Sequence, residues 1–236
     1  MARAQGATYR FEKKAWRAGH TCVAGVDEVG RGPLAGPVVA AAVILPANRR
    51  IRGLKDSKLL TPAQRETLFP VIQDAAEAVG VGIIEAPMID RINILEATRR
   101  AMLEALSKLS VPPDLVLIDA IRLPTLTIEQ QPIIKGDRLS ATIAAASIIA
   151  KVTRDRLMLE YDQVYPEYGF ARHKGYATEE HLQAIDRFGP CPIHRRTFHG
   201  VWIQRELFSG PGVRGSGSAF FTPNFEPRTP GPGPRV

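Results

Sequence analysis

Apolar residues along this chain gather in two rhythms, short unbroken runs and helically spaced stripes, and their order predicts the architecture. A short helix, Tyr9 to Ala18, precedes the core. Residues 21–45 are rich in small and β-branched apolar side chains and predict two or three strands joined by a glycine-proline loop. Thr61 with Gln64 fits a capping box and Pro62 takes the first helical position, so a helix is expected to run to about Val79 and stop at Gly80. A strand over 81–85 ends at Pro87. Residues 88–109 form the longest amphipathic stripe, with Ile92, Leu95, Met102, Leu103, Leu106 and Leu109 on or near one face. Pro112-Pro113 ends that helix, and 114–120 is a buried strand that closes on an acid, Asp119. A short strand then leads to Ile133-Ile134-Lys135-Gly136-Asp137, and the alanine-rich stretch 138–161 is helical. An aromatic, basic loop spans Tyr165 to Tyr176, and a last helix runs from Thr178 to about Phe188. Antiparallel strands followed by alternating helices and strands indicate an α/β domain with a mixed sheet.

Composition changes sharply after Leu207. Residues 209–236 are dominated by Gly, Pro and Ser without periodicity, the profile of a disordered tail. The folded domain is therefore expected over 1–208, with a helical C-terminal part at about 160–208. The net charge of +7 comes from 31 Lys and Arg against 24 Asp and Glu, and such a surface attracts polyanions. The tail carries Arg214, Arg228 and Arg235 against Glu226, which is +2 of the +7 and leaves +5 on the domain. No run approaches the ~20 apolar residues of a membrane span, and the opening Met1–Gly6 has no apolar export core. Two cysteines, Cys22 and Cys191, are too few for a disulfide framework or a cysteine zinc site, so a reducing cytoplasm is expected, and a monomer is the default where nothing indicates oligomeric state.

The chemistry lies where the apolar pattern is interrupted. Asp27-Glu28 breaks an apolar run ahead of Gly30-Arg31-Gly32-Pro33, and buried carboxylates are expensive unless paired or bound to metal. The plain alternative is a turn whose acids face water. Asp119 ends a strand and Asp137 follows Gly136 at a helix start, where capping accounts for it as well as metal binding does. Convergence of Asp27, Glu28, Asp119 and Asp137 at the carboxyl ends of strands would make an oxygen-only site for Mg²⁺ or Mn²⁺. Neighbouring strand residues point to opposite faces, so bringing Asp27 and Glu28 together predicts irregular backbone over 28–30. On a continuous helix Asp155 would stand roughly 27 Å from Asp137, which excludes it from the site and leaves an ion pair with Lys151. Ser147 and Lys151 are assigned to the scaffold. His173, His194 and His199 lack metal spacing and are expected at the surface or on backbone phosphates.

Taken together, 24–34, Asp56–Leu60, Ile92–Thr98, Leu117–Asp119, Lys135–Asp137, Ala145–Asp155 and Tyr168–Tyr176 resemble bacterial ribonuclease HII, of the ribonuclease H-like superfamily. The resemblance covers roughly residues 20–200. It implies a ribonuclease H-like mixed sheet flanked by helices, with a small C-terminal helical extension. It also implies endonucleolytic cleavage of RNA–DNA hybrids and of duplex DNA containing ribonucleotides, cutting 5′ to the ribonucleotide and leaving a 3′-hydroxyl and a 5′-phosphate. By motif, Asp27, Glu28, Asp119 and Asp137 correspond to the catalytic metal-binding acids, with Mn²⁺ or Mg²⁺ as cofactor. Gly30, Arg31 and Gly32 correspond to the loop that senses the ribose 2′-hydroxyl. Tyr176 corresponds to the tyrosine that stacks on the following deoxyribose, and otherwise reads as a partly buried loop aromatic. Lys58 fits a phosphate contact or a solvated lysine, and Asn93 a nucleic-acid contact or a helix cap. Ala120 stands where bacterial members often have glycine, and Leu59-Leu60 replaces a more usual Lys-Leu.

The expected mechanism is two-metal hydrolysis: one ion on Asp27 and Asp137, the other on Asp27, Glu28 and Asp119. Two other readings compete with it. One is a different two-metal nuclease of the same superfamily, against which the glycine loop and Tyr176 argue. The other is a nucleic-acid binding protein whose acids hold only structural metal, which four converging acids disfavour.

Overall fold

The computed structural model describes residues 6–201, and the tail expected over 209–236 lies outside them. Five strands form one mixed sheet in the order β3-β2-β1-β4-β5. β1 (Val23–Val29) is central, antiparallel to β2 (Val38–Ile44) and parallel to β4 (Leu115–Asp119). β3 (Ala78–Ile84) and β5 (Glu129–Ile133) are the edges, antiparallel to β2 and parallel to β4 respectively.

Helices cover both faces. Side-chain alternation sends Val39, Ala41 and Val43 of β2 against α2 (Pro62–Ala75) and α5 (Ala141–Val164). Val38, Ala40, Ala42 and Ile44 face α3 (Ala86–Ser107). α1 (Arg10–Arg17) reaches the start of α5 through buried Glu12, whose Oε1 accepts from the Ser140 hydroxyl at 2.6 Å and the Thr142 N–H at 2.9 Å. Among the described residues no helix is long and apolar enough to cross a membrane.

Four local expectations are corrected. α2 has its Thr61–Gln64 capping box but ends at Ala75, and β3 begins at Ala78 rather than at 81. The reason is packing: a Cβ on Gly80 or Gly82 would stand 2.0 Å from the Ala105 or Ala101 carbonyl oxygen of α3, so these glycines bring strand and helix together instead of stopping a helix. α3 is kinked at Asn93 (φ 65°, ψ 165°), whose Oδ1 caps the second half by accepting from the Leu95 and Glu96 N–H groups at 2.9 and 3.1 Å. The helix expected over 138–161 is divided into α4 (Gly136–Leu139) and α5 by extended Ser140, which caps α5. The loop 165–176 contains a 3₁₀ turn, Pro166–Tyr168, and a short α6 (Phe170–His173), followed by α7 (Glu179–Phe188).

Candidate active site

β1 and β4 run in parallel register from Val23–Leu115 to Val26–Ile118. The next residues along are Asp27 and Asp119, which emerge side by side at the carboxyl end of the sheet, where open α/β sheets bind ligands. β5 pairs with β4 as far as Ile133 opposite Asp119, and the chain then turns through Lys135 (φ 59°) into α4. The Gly136 N–H donates to Asp119 Oδ1 at 2.7 Å, and a Cβ there would lie 2.6 Å from Ile143 Cδ1. A side chain at this position would have to displace the tip of buried Ile143, so glycine lets the turn seat Asp137 near Asp119 without repacking.

The irregular backbone expected over 28–30 is confined to Gly30, at φ 90°. β1 stays in register through Val29, with Asp27, Glu28 and Val29 opposite Ala41, Ala40 and Val39. Asp27 thus faces α5, where the Ser147 hydroxyl hydrogen-bonds it, and Glu28 starts from the opposite face. Glu28 still lies within electrostatic reach of Asp27 and Asp119.

The result is a strongly perturbed acid group. Burial pushes the Asp27 carboxyl well above the usual range, and the charges of Glu28 and Asp119 push it further. Burial raises Glu28 against the pull of Arg31, and raises Asp119 against the hydrogen bond from Gly136. Asp137 is raised to about 6 by burial and then by the charges of Asp56 and Asp119. Asp56 is a participant that sequence reasoning left without a role. It is 1% exposed, accepts from the Lys58 N–H at 2.9 Å and pairs with Arg138 Nε at 3.1 Å. Its neighbour Ser57 hydrogen-bonds Ser147 at 2.9 Å, so Ser147 is a site residue as well as scaffold. The sequence signals for Asp56 were the polar run Asp56-Ser57-Lys58 before a capping box and its place in the family-like segment Asp56–Leu60, neither of which assigned it a role. Lys58 extends its exposed ammonium to 4.0 Å from Asp137 Oδ2.

These acids suit divalent cations. Glu28 Oε2 is buried without a hydrogen-bond partner among the described residues, Asp27 is crowded by like charge, and every donor is an oxygen, the set that Mg²⁺ and Mn²⁺ prefer. Among the described residues no three His, Cys, Asp or Glu side chains stand close enough together to hold a metal ion in this geometry. Asp155 is kept apart by Lys151 at 2.6 Å and Arg65 at 3.8 Å.

Beside the acids lies the glycine loop. Arg31 Nη1 reaches Glu28 Oε1 at 3.3 Å. The Leu34 N–H donates to the Gly175 carbonyl at 2.8 Å, and a Cβ on Gly175 would meet the Ala35 oxygen at 2.5 Å. Tyr176, 43% exposed, comes within 4.0 Å of the Cβ position of Gly32. Asn93 is engaged in its helix cap. His173 and His194 are buried rather than at the surface, because they belong to a network with His181 that backs this loop, while His199 is exposed. Gly175 N–H donates to His173 Nδ1 at 3.2 Å and His173 Nε2 donates to the Tyr168 carbonyl at 2.7 Å. His181 Nδ1 donates to the Tyr176 carbonyl at 2.8 Å, and its Nε2 accepts from His194 Nε2 at 3.0 Å. His194 Nδ1 in turn accepts from the Cys191 N–H at 3.0 Å. One arrangement of donors and acceptors satisfies the hydrogen bonds of all three rings.

Residues 24–201 match the Ribonuclease HII family model. The chain belongs to the ribonuclease HII family. It is 59% identical over 197 residues to ribonuclease HII of Geobacter sulfurreducens, covering 84% of this chain and 91% of that protein. It is 58% identical over 188 residues to ribonuclease HII of Acetivibrio thermocellus, covering 80% and 73%. Among solved structures it resembles ribonuclease H2 from Pyrococcus horikoshii with a TM-score of 0.64 and 32% identity, covering 76% of this chain and 95% of that one. Bst-RNase HIII in complex with Mn²⁺ shares the fold with a TM-score of 0.59 at 20% identity, covering 79% of this chain and 70% of that one. The mixed sheet flanked by helices is therefore the ribonuclease H-like fold, and the chain is an endoribonuclease of the ribonuclease H type acting on RNA–DNA hybrids.

Proposed function

We propose that this ribonuclease HII cuts the strand 5′ to ribonucleotides embedded in duplex DNA as well as the RNA of long hybrids, leaving a 3′-hydroxyl and a 5′-phosphate. The observation that carries this reading is the seating of Gly32 and Tyr176 side by side next to the acid group, linked to it by the Arg31–Glu28 pair. The 2′-hydroxyl is what separates RNA from DNA at one nucleotide, and an open glycine backbone can hydrogen-bond it directly. The exposed Tyr176 ring offers the next sugar a flat apolar face. Lys58 and Arg31 serve as phosphate contacts.

Asp27, Glu28, Asp119 and Asp137 hold Mn²⁺ or Mg²⁺ in this reading. Two such ions supply the positive charge that lowers the pKa of an attacking water and offsets charge on the departing 3′-oxygen. Asp27 would serve both ions, with Asp137 at one and with Glu28 and Asp119 at the other. Gly136 fixes Asp119, Ser147 fixes Asp27, and burial with the charge of Asp56 raises Asp137 to about 6, so that a bound cation would displace its proton into solvent. The same reading makes the protein a cytoplasmic monomer with one catalytic domain over 1–208.

The deciding experiment offers a DNA duplex with one ribonucleotide, with Mn²⁺, Mg²⁺ or chelator. One metal-dependent cut 5′ to the ribonucleotide is expected. Cleavage of a long hybrid without that cut would remove the roles given to Gly30, Arg31, Gly32 and Tyr176 while keeping the metal site.

A further inference from the structure

Two arginines, Arg154 of α5 and Arg195 beyond α7, are completely buried, and among the described residues neither has a carboxylate hydrogen-bonded to it. Their donors go instead to backbone carbonyls. Arg195 reaches Gly36 with Nε at 3.0 Å, Arg31 with Nη1 at 3.0 Å and Gly30 with Nη2 at 2.5 Å. Arg154 reaches Pro37 with Nε at 2.9 Å and Ala35 with Nη2 at 3.0 Å, and its third arm crosses to Lys174 at 3.0 Å. One guanidinium therefore ties the glycine loop to the segment that presents Tyr176. Gly30 is moulded on it, since a Cβ there would lie 2.3 Å from Arg154 Nε. The carboxylates of Asp155, Asp90 and Glu85 act on the pair only at a distance, and two adjacent buried charges of one sign without a hydrogen-bonded carboxylate are costly for mere scaffolding. A planar fork that engages three carbonyls at fixed angles is something lysine cannot reproduce.

We propose that Arg154, backed by Arg195, is a positioning residue that sets the distance between the glycine loop and Tyr176, and so sets the preference for an RNA-to-DNA junction over a continuous hybrid. The inference rests on the junction reading above and names the residues that make it geometric. Displacing a reading group by about 1 Å can cost up to about 100-fold in rate, whereas the acids, held by β1, β4 and α4, stay where they are. The test measures kcat/KM of the full chain on a single-ribonucleotide duplex and on a long hybrid, for wild type, Arg154→Lys, Tyr176→Ala and the double variant. Arg154→Lys is expected to lower the single-ribonucleotide to hybrid ratio about 10-fold, and to change it less than about 2-fold once Tyr176 is already alanine, because residues that act as a unit are non-additive. An equal loss on both substrates, or the same 10-fold change in the Tyr176→Ala background, overturns the proposal. A wild-type ratio that Tyr176→Ala leaves unmoved overturns the junction reading instead. If circular dichroism shows that Arg154→Lys does not fold, the same cycle with Arg195→Lys, which frees the loop from its other side, decides the matter by the same criteria.

Discussion

The acid group and the frame behind the glycine loop lie close together and are built on opposite plans. The acids repel one another, are raised in pKa by burial and by each other, and leave Glu28 Oε2 without a partner among the described residues. In the frame, the guanidinium groups of Arg154 and Arg195 donate to six carbonyls, and the rings of His173, His181 and His194 have both nitrogens hydrogen-bonded. A region that must bind something is left wanting it, and a region that must hold something still is left wanting nothing. Frustration in the first is tolerable only because the second, together with the sheet, fixes the geometry around it.

Replacing one residue in each region separates the two plans. Asp119→Asn should lower turnover by a factor on the order of 10³, with duplex affinity largely kept and no fall in the Tm of chelator-treated protein. Loss of binding together with activity would contradict the metal role. Arg195→Met should do the reverse to stability, costing about 3 kcal/mol because three carbonyls lose their donors together, as read from urea unfolding. A variant as stable as wild type would mean that the frame is not a structural necessity.

Acidity sharpens the contrast, because the two regions respond with opposite signs. Asp137 has a folded pKa of about 6, above its unfolded value, so its ionisation destabilises the metal-free fold above pH 6, and that penalty fades as pH falls toward 4. Asp137→Asn should stabilise chelator-treated protein by about 1–2 kcal/mol at pH 7, and the gain should vanish near pH 4. His181 and His194 are lowered to about 4, chiefly by burial. Their contribution is complete above the unfolded value of about 6.5 and is lost as pH falls through 4. Thermal melts of both forms across pH 4–7 read the two slopes. The smallest effect is expected at Ala120, which occupies positive φ (53°) beside Asp119. Ala120→Gly should relieve strain and shift stability by less than about 1 kcal/mol in either direction, since glycine also loosens the unfolded chain.

The same division governs what could be read before the fold was known. The acids were legible because each interrupts an apolar run or follows a glycine, and parallel register then brings Asp27 level with Asp119. Thr61, Pro62 and Gln64 announced their helix by local chemistry alone. Gly80 misled because its reason lies on another element, the α3 carbonyl that a side chain would strike. The roles of Arg154 and Arg195 were not legible, although Arg154 falls in the family-like segment Ala145–Asp155, since a buried arginine that serves carbonyls has the spelling of a surface one. Asp56 was hidden for a related reason. Its partners are Arg138 and the charge of Asp137, some 80 residues away in sequence.

The bond from Arg195 to Gly30 spans 165 positions, and that span sets an order of events during synthesis. All four acids have been made once Asp137 is added, yet the clamp on the loop beside them waits for Arg195. At about 5–20 residues per second the interval is roughly 3–12 s. Under the proposed function, the growing chain carries its metal-binding acids throughout that interval without the clamp that would set their selectivity. Discrimination would then be acquired on the ribosome only after the cutting groups themselves.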